Sequence, residues 1–243
     1  MAMTYSDVTR MLYDLVAAPS QDALSTPRLL ETVSCLAEPS QLVKLLQKAY
    51  SDPEIGRECA RRSFLHPLGF HKITLINVDS LFTLRIHVWW PTNRPIQPEH
   101  VHNHRFGFVS AIVSGAYDMQ IFVPDDLGVP MTEYTEQVDS QSGWRLYRAG
   151  DARLRTVNTV RLKPGASYAL SAQALHKVTA EPTAPCVTLF LQTATFKSKT
   201  RVFVEPGHRP PDNTPKQPFD DATYRRQLEL LLSELRCSSL SGV

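Results

Sequence analysis

The sequence predicts a mainly β fold: an antiparallel barrel or sandwich with a helical N-terminal subdomain and a closing C-terminal helix. Three observations carry this. Apolar residues recur at three- and four-residue steps over the first sixty residues, and near residue 70 the period drops to two. Many short strand-like runs then follow at regular spacing with no helical crossover between them, which argues for antiparallel pairing. A last amphipathic stretch returns to the helical period after a Pro-rich segment. The predicted units are 1–66, helical; 67–204, the barrel; and 205–243, a Pro-rich strap and helix.

The elements follow in order. TYSDVTRMLYDLVAA carries Val8, Met11, Leu12 and Leu15 on one helical face, with Ser6 or Asp7 placed to cap. TPRLLETVSCLAEPSQLVKLLQKAY repeats the pattern twice, and Pro39 should end the first helix near Glu38. SDPEIGRECARRSF reads as a further short helix, capped by Ser51 or Asp52 with Pro53 in its first turn. Strand-like runs are KITLINV, LFTLRIHVWW, FVSAIVSG, YDMQIFV, WRLYRAG, ARLRTVNTVRL, SYALSA, HKVTA and CVTLFLQTA, divided by turn residues such as KPGA. EPGHRPPDNTPKQP (205–218) reads as irregular. In the closing helix Asp220 or Asp221 caps, and Leu228, Leu231, Leu232 and Leu235 form the stripe.

Composition narrows the function classes. The 243 residues carry a net charge of +2 with no Lys/Arg cluster, so a nucleic-acid surface is not expected. No apolar run approaches membrane-spanning length, and the N-terminus lacks the pattern of a secretory signal. Cys35, Cys59, Cys186 and Cys237 lie far apart with no paired spacing, as expected of reduced thiols in a cytoplasmic protein.

The stretch EHVHNHRFGFVSAIVSG holds the chemistry. His100, His102 and His104 alternate, so on a strand they share one face. His102-Asn103-His104 is followed after three residues by Phe108, and after six more by Gly115. Downstream, Gly165 is followed by Ser171, Gln173, His176 and Ala180. These intervals match the two diagnostic segments of cupins, small antiparallel barrels of the jelly-roll type. There the first segment carries a Glu where Phe108 stands, and the second carries Pro, Gly and Asn where Ser171, Gln173 and Ala180 stand. The metal site so implied is His102, His104 and His176, three neutral imidazoles without the carboxylate. Imidazole suits Fe, Zn, Cu and Ni alike. Without a carboxylate the full divalent charge remains on the metal, which favours an anionic or chelating substrate beside dioxygen. In a tetrahedral field the same set suits zinc hydroxide. The interval to Gly115 selects His102 and His104, leaving His100 behind the ligands or at the surface.

The chain also resembles the cysteine dioxygenase-type thiol dioxygenases, cupins with a three-histidine iron centre, in order over roughly residues 48–200. KAYSDPE, FTLRIHVWWP, and LHKV with APCVTLFLQTATF carry the resemblance. It implies mononuclear Fe(II) and O2-dependent chemistry. The departures lie in the substrate pocket. The family's Ser-His-Tyr set falls on Thr188, Phe190 and Gln192, where only the Thr188 hydroxyl survives. No cysteine stands a few residues beyond the metal pair. The family's carboxylate-binding Arg falls on Lys72, which keeps the charge and loses the bidentate fork.

Further pocket candidates come from alternation. LFTLRIHVWW has an apolar face (Phe82, Leu84, Ile86, Val88) and an opposite face of Thr83, Arg85, His87 and Trp89. If the second face lines the barrel, Arg85 is a candidate for binding a substrate carboxylate and His87 for acid–base work. The default for such a face is outward, to solvent. Phe106 and Phe108 share the histidine face and would make a water-poor pocket, with Thr188 and Gln192 across the barrel. Tyr117 or Tyr147 would replace the missing tyrosine hydroxyl, and either is equally a packed core aromatic. Arg148, Arg153, Arg155 and Arg161 read as a solvated strand face, or as an anion patch at the pocket mouth.

The expectation is a metal-dependent cupin oxygenase using Fe(II) and O2 on a small polar molecule of amino-acid or thiol-carboxylate type. The alternatives are a Zn(II)- or Ni(II)-loaded lyase, isomerase or hydrolase, and a non-catalytic small-molecule-binding cupin. Membrane and nucleic-acid partners are not expected, and the chain is expected as a monomer or homodimer.

Overall fold

The computed structural model describes residues 3–17, 27–91, 99–139, 143–180 and 183–240, with the side chains of 237–240, including Cys237, outside the description. Four helices come first: α1 (Tyr5–Ala17), α2 (Pro27–Ala37), α3 (Pro39–Ser51) and α4 (Pro53–Arg62). Pro39 separates α2 from α3 as the sequence predicts. Asp52 caps α4, its carboxylate accepting from the Glu54 and Ile55 amides. At α1 the cap is Thr4, upstream of the predicted Ser6 or Asp7. The Thr4 hydroxyl accepts from the Asp7 amide while the Asp7 carboxylate accepts from the Thr4 amide, a reciprocal box.

The strands are β1 (Phe64–Leu65), β2 (His71–Val78), β3 (Phe82–Trp89), β4 (Val101–His102), β5 (Phe108–Ser114), β6 (Tyr117–Asp139), β7 (Gly143–Leu162), β8 (Ser167–Leu170), β9 (Leu175–Ala180), β10 (Cys186–Thr193), β11 (Lys199–Val204) and β12 (Asn213–Thr214). They form two six-stranded sheets with antiparallel pairings, ordered β1-β2-β3-β10-β5-β8 and β11-β4-β9-β6-β7-β12. Helix α5 (Asp221–Leu240) follows, with Asp220 accepting from the Thr223 amide at its start.

The first sheet has two unlike faces. Leu84, Ile86 and Val88 of β3, Leu189 and Leu191 of β10, and Val109 of β5 point outward into one large core. That core is shared with α1–α4 and with Leu228, Leu231 and Leu235 of α5. The other face points into the barrel and carries Arg85, His87, Phe108, Phe190 and Gln192. The default reading of β3 is thereby corrected: its polar side faces inward, because the helices, not water, cover the outside of the sheet.

Two sequence expectations about β6 and β7 also change. WRLYRAG and ARLRTVNTVRL are one strand, and β6 continues past Val123 to Asp139. The Pro and Gly residues of 124–130 are absorbed by a bulge, since Pro124 and Val129 both stand opposite Leu154. The extended half of β6 pairs with β11, and its first half with β9. Gly115 turns β5 into β6 at φ +71, where an added Cβ would stand 2.5 Å from the Pro185 carbonyl oxygen. Gly165 turns β7 into β8 at φ +86. The two glycines that set the spacing of the histidine segments are thus turns that fix where the histidine strands lie. No described helix is long and apolar enough to cross a membrane.

Candidate metal centre

The three histidines come together from two strands and a loop. His102 of β4 stands directly opposite His176 of β9. The strand expected to carry all of 100–104 stops at His102, and His104 sits in the connection to β5. Asn103, between the two ligand candidates, holds that bend. Its amide donates to the Arg201 carbonyl at 3.2 Å, and its side-chain oxygen accepts from the Arg201 amide at 2.8 Å.

The ligand-competent nitrogens of His102, His104 and His176 all lie within 4.8 Å of one another. Nε2 of His104 is 3.3 Å from Nε2 of His176, close to the separation of two nitrogens bound at about 2.1 Å to one ion. The outer nitrogens of two rings are tied back. His102 Nδ1 donates to the His100 carbonyl at 2.9 Å, and His176 Nδ1 donates to the Ala174 carbonyl at 3.2 Å. A proton held on Nδ1 leaves the Nε2 lone pair free to ligate. Burial pushes the rings down, His102 to about 4, His176 to about 3 and His104 well below the usual imidazole range. All three are therefore neutral at physiological pH, as a metal requires. The donor set fits a divalent transition ion.

Aromatic rings wall the triad. His104 stacks on Phe106 at 5.1 Å between centroids and meets Phe108 edge-on at 5.0 Å. Phe108, at the cupin carboxylate position, stacks in turn on Phe190 at 4.5 Å. Two cavities meet here. A larger one of about 180 Å³ is lined in part by Phe64, His66, Trp144 and Thr214. A smaller inner one of about 60 Å³ is lined by Glu99, Ser110, Tyr117, Tyr168 and Thr188. Lys72, Arg85, His102 and His104 line both.

Arg85 is held firmly. Its Nε donates to His87 Nε2 at 3.0 Å and its Nη1 to Gln192 Oε1 at 2.8 Å, while its guanidinium lies 4.6 Å from the Phe190 ring centre. Burial, then Arg105, pushes it down to about 9, still a cation at neutral pH. The Lys72 ammonium lies 5.5 Å from the Phe64 ring centre and 5.7 Å from that of Phe70.

The remaining expected residues divide clearly. Tyr117 is buried beside the inner cavity, with its hydroxyl 2.7 Å from that of Tyr168. Thr188 Oγ1 is buried with no hydrogen-bond partner among the described residues. Tyr147 is corrected: it is 48% exposed on β7 and lines neither cavity, because strand alternation turns Leu146 toward the larger cavity and Tyr147 to the opposite face. Arg148, Arg155 and Arg161 pair with Asp151, Asp125 and Asp118 on a solvated surface, while Arg153 donates to the Gly128 carbonyl. They form no patch at the pocket mouth. His100 lines the outer cavity and supplies the carbonyl that orients His102.

Sequence reasoning missed Glu99, Glu136, His66 and Tyr168. Glu99 accepts from the Val178 amide at 2.9 Å and is pushed up by burial to about 8. Glu136 lines the outer cavity, accepts from the Thr200 hydroxyl, and is also raised by burial. Only Glu99 carried a hint, as a charge at the head of an apolar run.

No protein-family model matches the chain, and no curated protein does. Solved structures that resemble it are distant. One is hydroquinone 1,2-dioxygenase from a Sphingomonas species with 4-hydroxybenzoate bound, 13% identical with a TM-score of 0.32, covering 51% of this chain and 66% of that one. The cupin domain of Schizosaccharomyces pombe Cnp3 is 8% identical with a TM-score of 0.32, covering 51% and 61%. Hydroxypropylphosphonic acid epoxidase from S. wedmorenis is 12% identical with a TM-score of 0.32, covering 51% and 50%. This chain thus spans less than two thirds of each. At that distance the likenesses carry no argument about activity. The mainly β double-sheet barrel with N-terminal helices and a C-terminal helix, the predicted fold class, stands on the chain's own topology.

Proposed function

We propose that this chain is a metal-dependent cupin oxygenase in which His102, His104 and His176 hold Fe(II) and a small anionic substrate is oxidised with O2. One observation carries the reading. Three neutral imidazoles, two with their outer nitrogens tied to backbone carbonyls, converge beside a cavity lined by half-buried cationic side chains. When bound, the metal supplies a Lewis-acidic centre at which substrate and dioxygen are brought together. The chain's own residues do the rest. Arg85, locked by His87, Gln192 and Phe190, receives an acid group of the substrate without having to reorganise. His87 spends its Nε2 lone pair on Arg85, so its role here is to position that guanidinium. Phe106, Phe108 and Phe190 exclude water, which strengthens each charge interaction inside. The Tyr117–Tyr168 hydroxyl pair supplies a phenolic donor at the inner end, beside the unpartnered Thr188 hydroxyl.

The test is metal analysis of tag-free protein purified without chelator, followed by oxygen-electrode recordings with small amino-acid and thiol-carboxylate acids. Stoichiometric iron with substrate-dependent O2 uptake is the expected result. Stoichiometric zinc, with no O2 uptake after iron reconstitution, would overturn the proposal in favour of hydrolytic or lyase chemistry.

A further inference from the structure

The outer cavity has a charge imbalance that a single carboxylate leaves unmet. Lys72 comes from β2, Arg85 from β3, and Arg105 from the connection after the histidine pair, and all three line the cavity. Against them, among the described residues, stands one lining acid, Glu136, which interacts with Lys72 and Arg105. Glu99 faces the inner cavity, and burial favours its uncharged form. Burial lowers both heads first, and neighbouring cations add to it: Arg105 depresses Arg85, and Arg85 depresses Lys72, whose charged form an arriving anion would favour. Such crowding in a buried space is unfavourable in the free protein, and an anionic ligand of matching charge relieves it.

The two innermost cations differ in form and in direction. Lys72 stands opposite His87, and Arg85 stands opposite Thr74, so the two are diagonal neighbours across β2 and β3. Their heads rest on different rings, Lys72 beside Phe64 and Phe70 and Arg85 beside Phe106 and Phe190, and so offer two points of attachment. Arg85 offers a flat fork, two of its five N–H donors already engaged by His87 and Gln192. Lys72 offers a point charge whose only described contacts at the head are the Phe64 and Phe70 rings, and these take no hydrogen bond of ordinary strength.

We infer that the substrate of this site is a dianion carrying two separated acid groups, one received by the Arg85 fork and the other by the Lys72 ammonium. The chemical class is a short-chain dicarboxylate, or a carboxylate bearing a phosphonate or sulfonate, of a size that fits about 180 Å³. The inference rests on the oxygenase reading for its site and goes beyond it in naming the charge and shape of what is oxidised. Lys72 is then the specificity-determining residue, selecting the second acid group.

The experiment is anaerobic titration calorimetry of the full chain at pH 7, its metal content recorded, with glutarate and butyrate as matched probes. Glutarate is expected to bind at least about tenfold more tightly, a difference of about 1.4 kcal/mol. Lys72→Met is expected to erase that preference while leaving butyrate affinity within about twofold, and Lys72→Arg to restore it in part. Arg85→Gln is expected to weaken both probes. Circular dichroism of each variant separates loss of binding from loss of fold. Equal affinity for the two probes, binding of neither, or an equal loss of both in Lys72→Met overturns the inference. Because no turnover is read, the outcome is independent of O2 chemistry. Glutarate selectivity with no O2 uptake sinks the oxygenase reading alone, and O2 uptake with a monoanion sinks the dianion alone.

Discussion

The two faces of the first sheet are made from the same strands yet do opposite things. Outward, Leu84, Ile86 and Val88 with Leu189 and Leu191 are buried to within 0% exposure under the helices. Inward, on the intervening positions, Arg85, His87, Thr188 and Gln192 sit among aromatic rings beside the triad. In an antiparallel sheet that faces water on one side, the apolar side is the inside. Here the helices move the main hydrophobic core to the outside of the barrel and free its interior for chemistry. Stability and function are therefore separable along a single strand, one residue at a time.

The sharpest way to break this division is at the histidines. His176→Ala removes a candidate ligand that lies outside the helix-covered core, and it is expected to lower metal affinity by more than about 100-fold, beyond what loss of an orienting partner costs. The cooperative unfolding of the metal-free protein should stay in place. Metal content by mass spectrometry and a thermal melt together decide it, and retained metal would remove His176 from the centre.

Next in size is a comparison of neighbours on β3. Leu84→Ala opens a cavity in the helix-covered core and is expected to cost about 2–5 kcal/mol in denaturant unfolding, with metal content unchanged. Arg85→Met should do the reverse. It removes a half-buried cation that has no carboxylate partner among the described residues, so stability holds or rises while substrate-dependent O2 uptake is lost. Equal destabilisation by both would mean that the two faces are not separable.

Much of this was legible in the sequence, for identifiable reasons. The alternation of β3 is plain, because one face must meet other apolar residues. The spacing of His102 and His104 to Gly115, and of Gly165 to His176, is plain because both intervals end on glycine turns that admit little variation. The direction of β3 was not legible, since alternation is blind to what covers each side. Nor was the length of the β6–β7 hairpin, because Pro124, Gly128 and Pro130 read as a stop wherever a bulge is not anticipated. Glu99 and Glu136 could not be recognised, because their partners, Val178 and Thr200, lie 79 and 64 residues away along the chain. Tyr117 and Tyr147 looked alike, and only the face of the strand that each occupies tells them apart.

The inner cavity gives a pH-dependent test of the same division. Burial raises the Glu99 carboxyl to about 8 from an ordinary value near 4.5, so between those pH values the folded chain holds a proton that the unfolded chain has released. Its contribution to stability is therefore full below pH 4.5 and is lost as pH rises through about 8. Glu99→Gln keeps an oxygen to accept from the Val178 amide and cannot ionise. Its melting temperature should match the parent near pH 5 and exceed it by a few degrees at pH 8. A difference of the same size at both pH values would mean that Glu99 is not buried as a neutral acid.

The smallest effect belongs to the tyrosine that points away from the cavities. Tyr117 and Tyr147 each stand on a strand of the same hairpin, and each offers one hydroxyl. Tyr117→Phe strands the buried Tyr168 hydroxyl without its 2.7 Å partner, and the loss is expected to be about 1–3 kcal/mol together with a change in substrate handling. Tyr147→Phe removes a hydroxyl from a half-exposed ring on the far part of β7, so its effect on stability should stay within about 0.5 kcal/mol. Metal content and O2 uptake should not move at all. The pair therefore tests which face of the hairpin bears on the site. If Tyr147→Phe alters substrate-dependent O2 uptake as Tyr117→Phe does, the outward face of β7 bears on it too. If only Tyr117→Phe does, the site is confined to the inward face, which carries Glu136, Trp144 and Leu146.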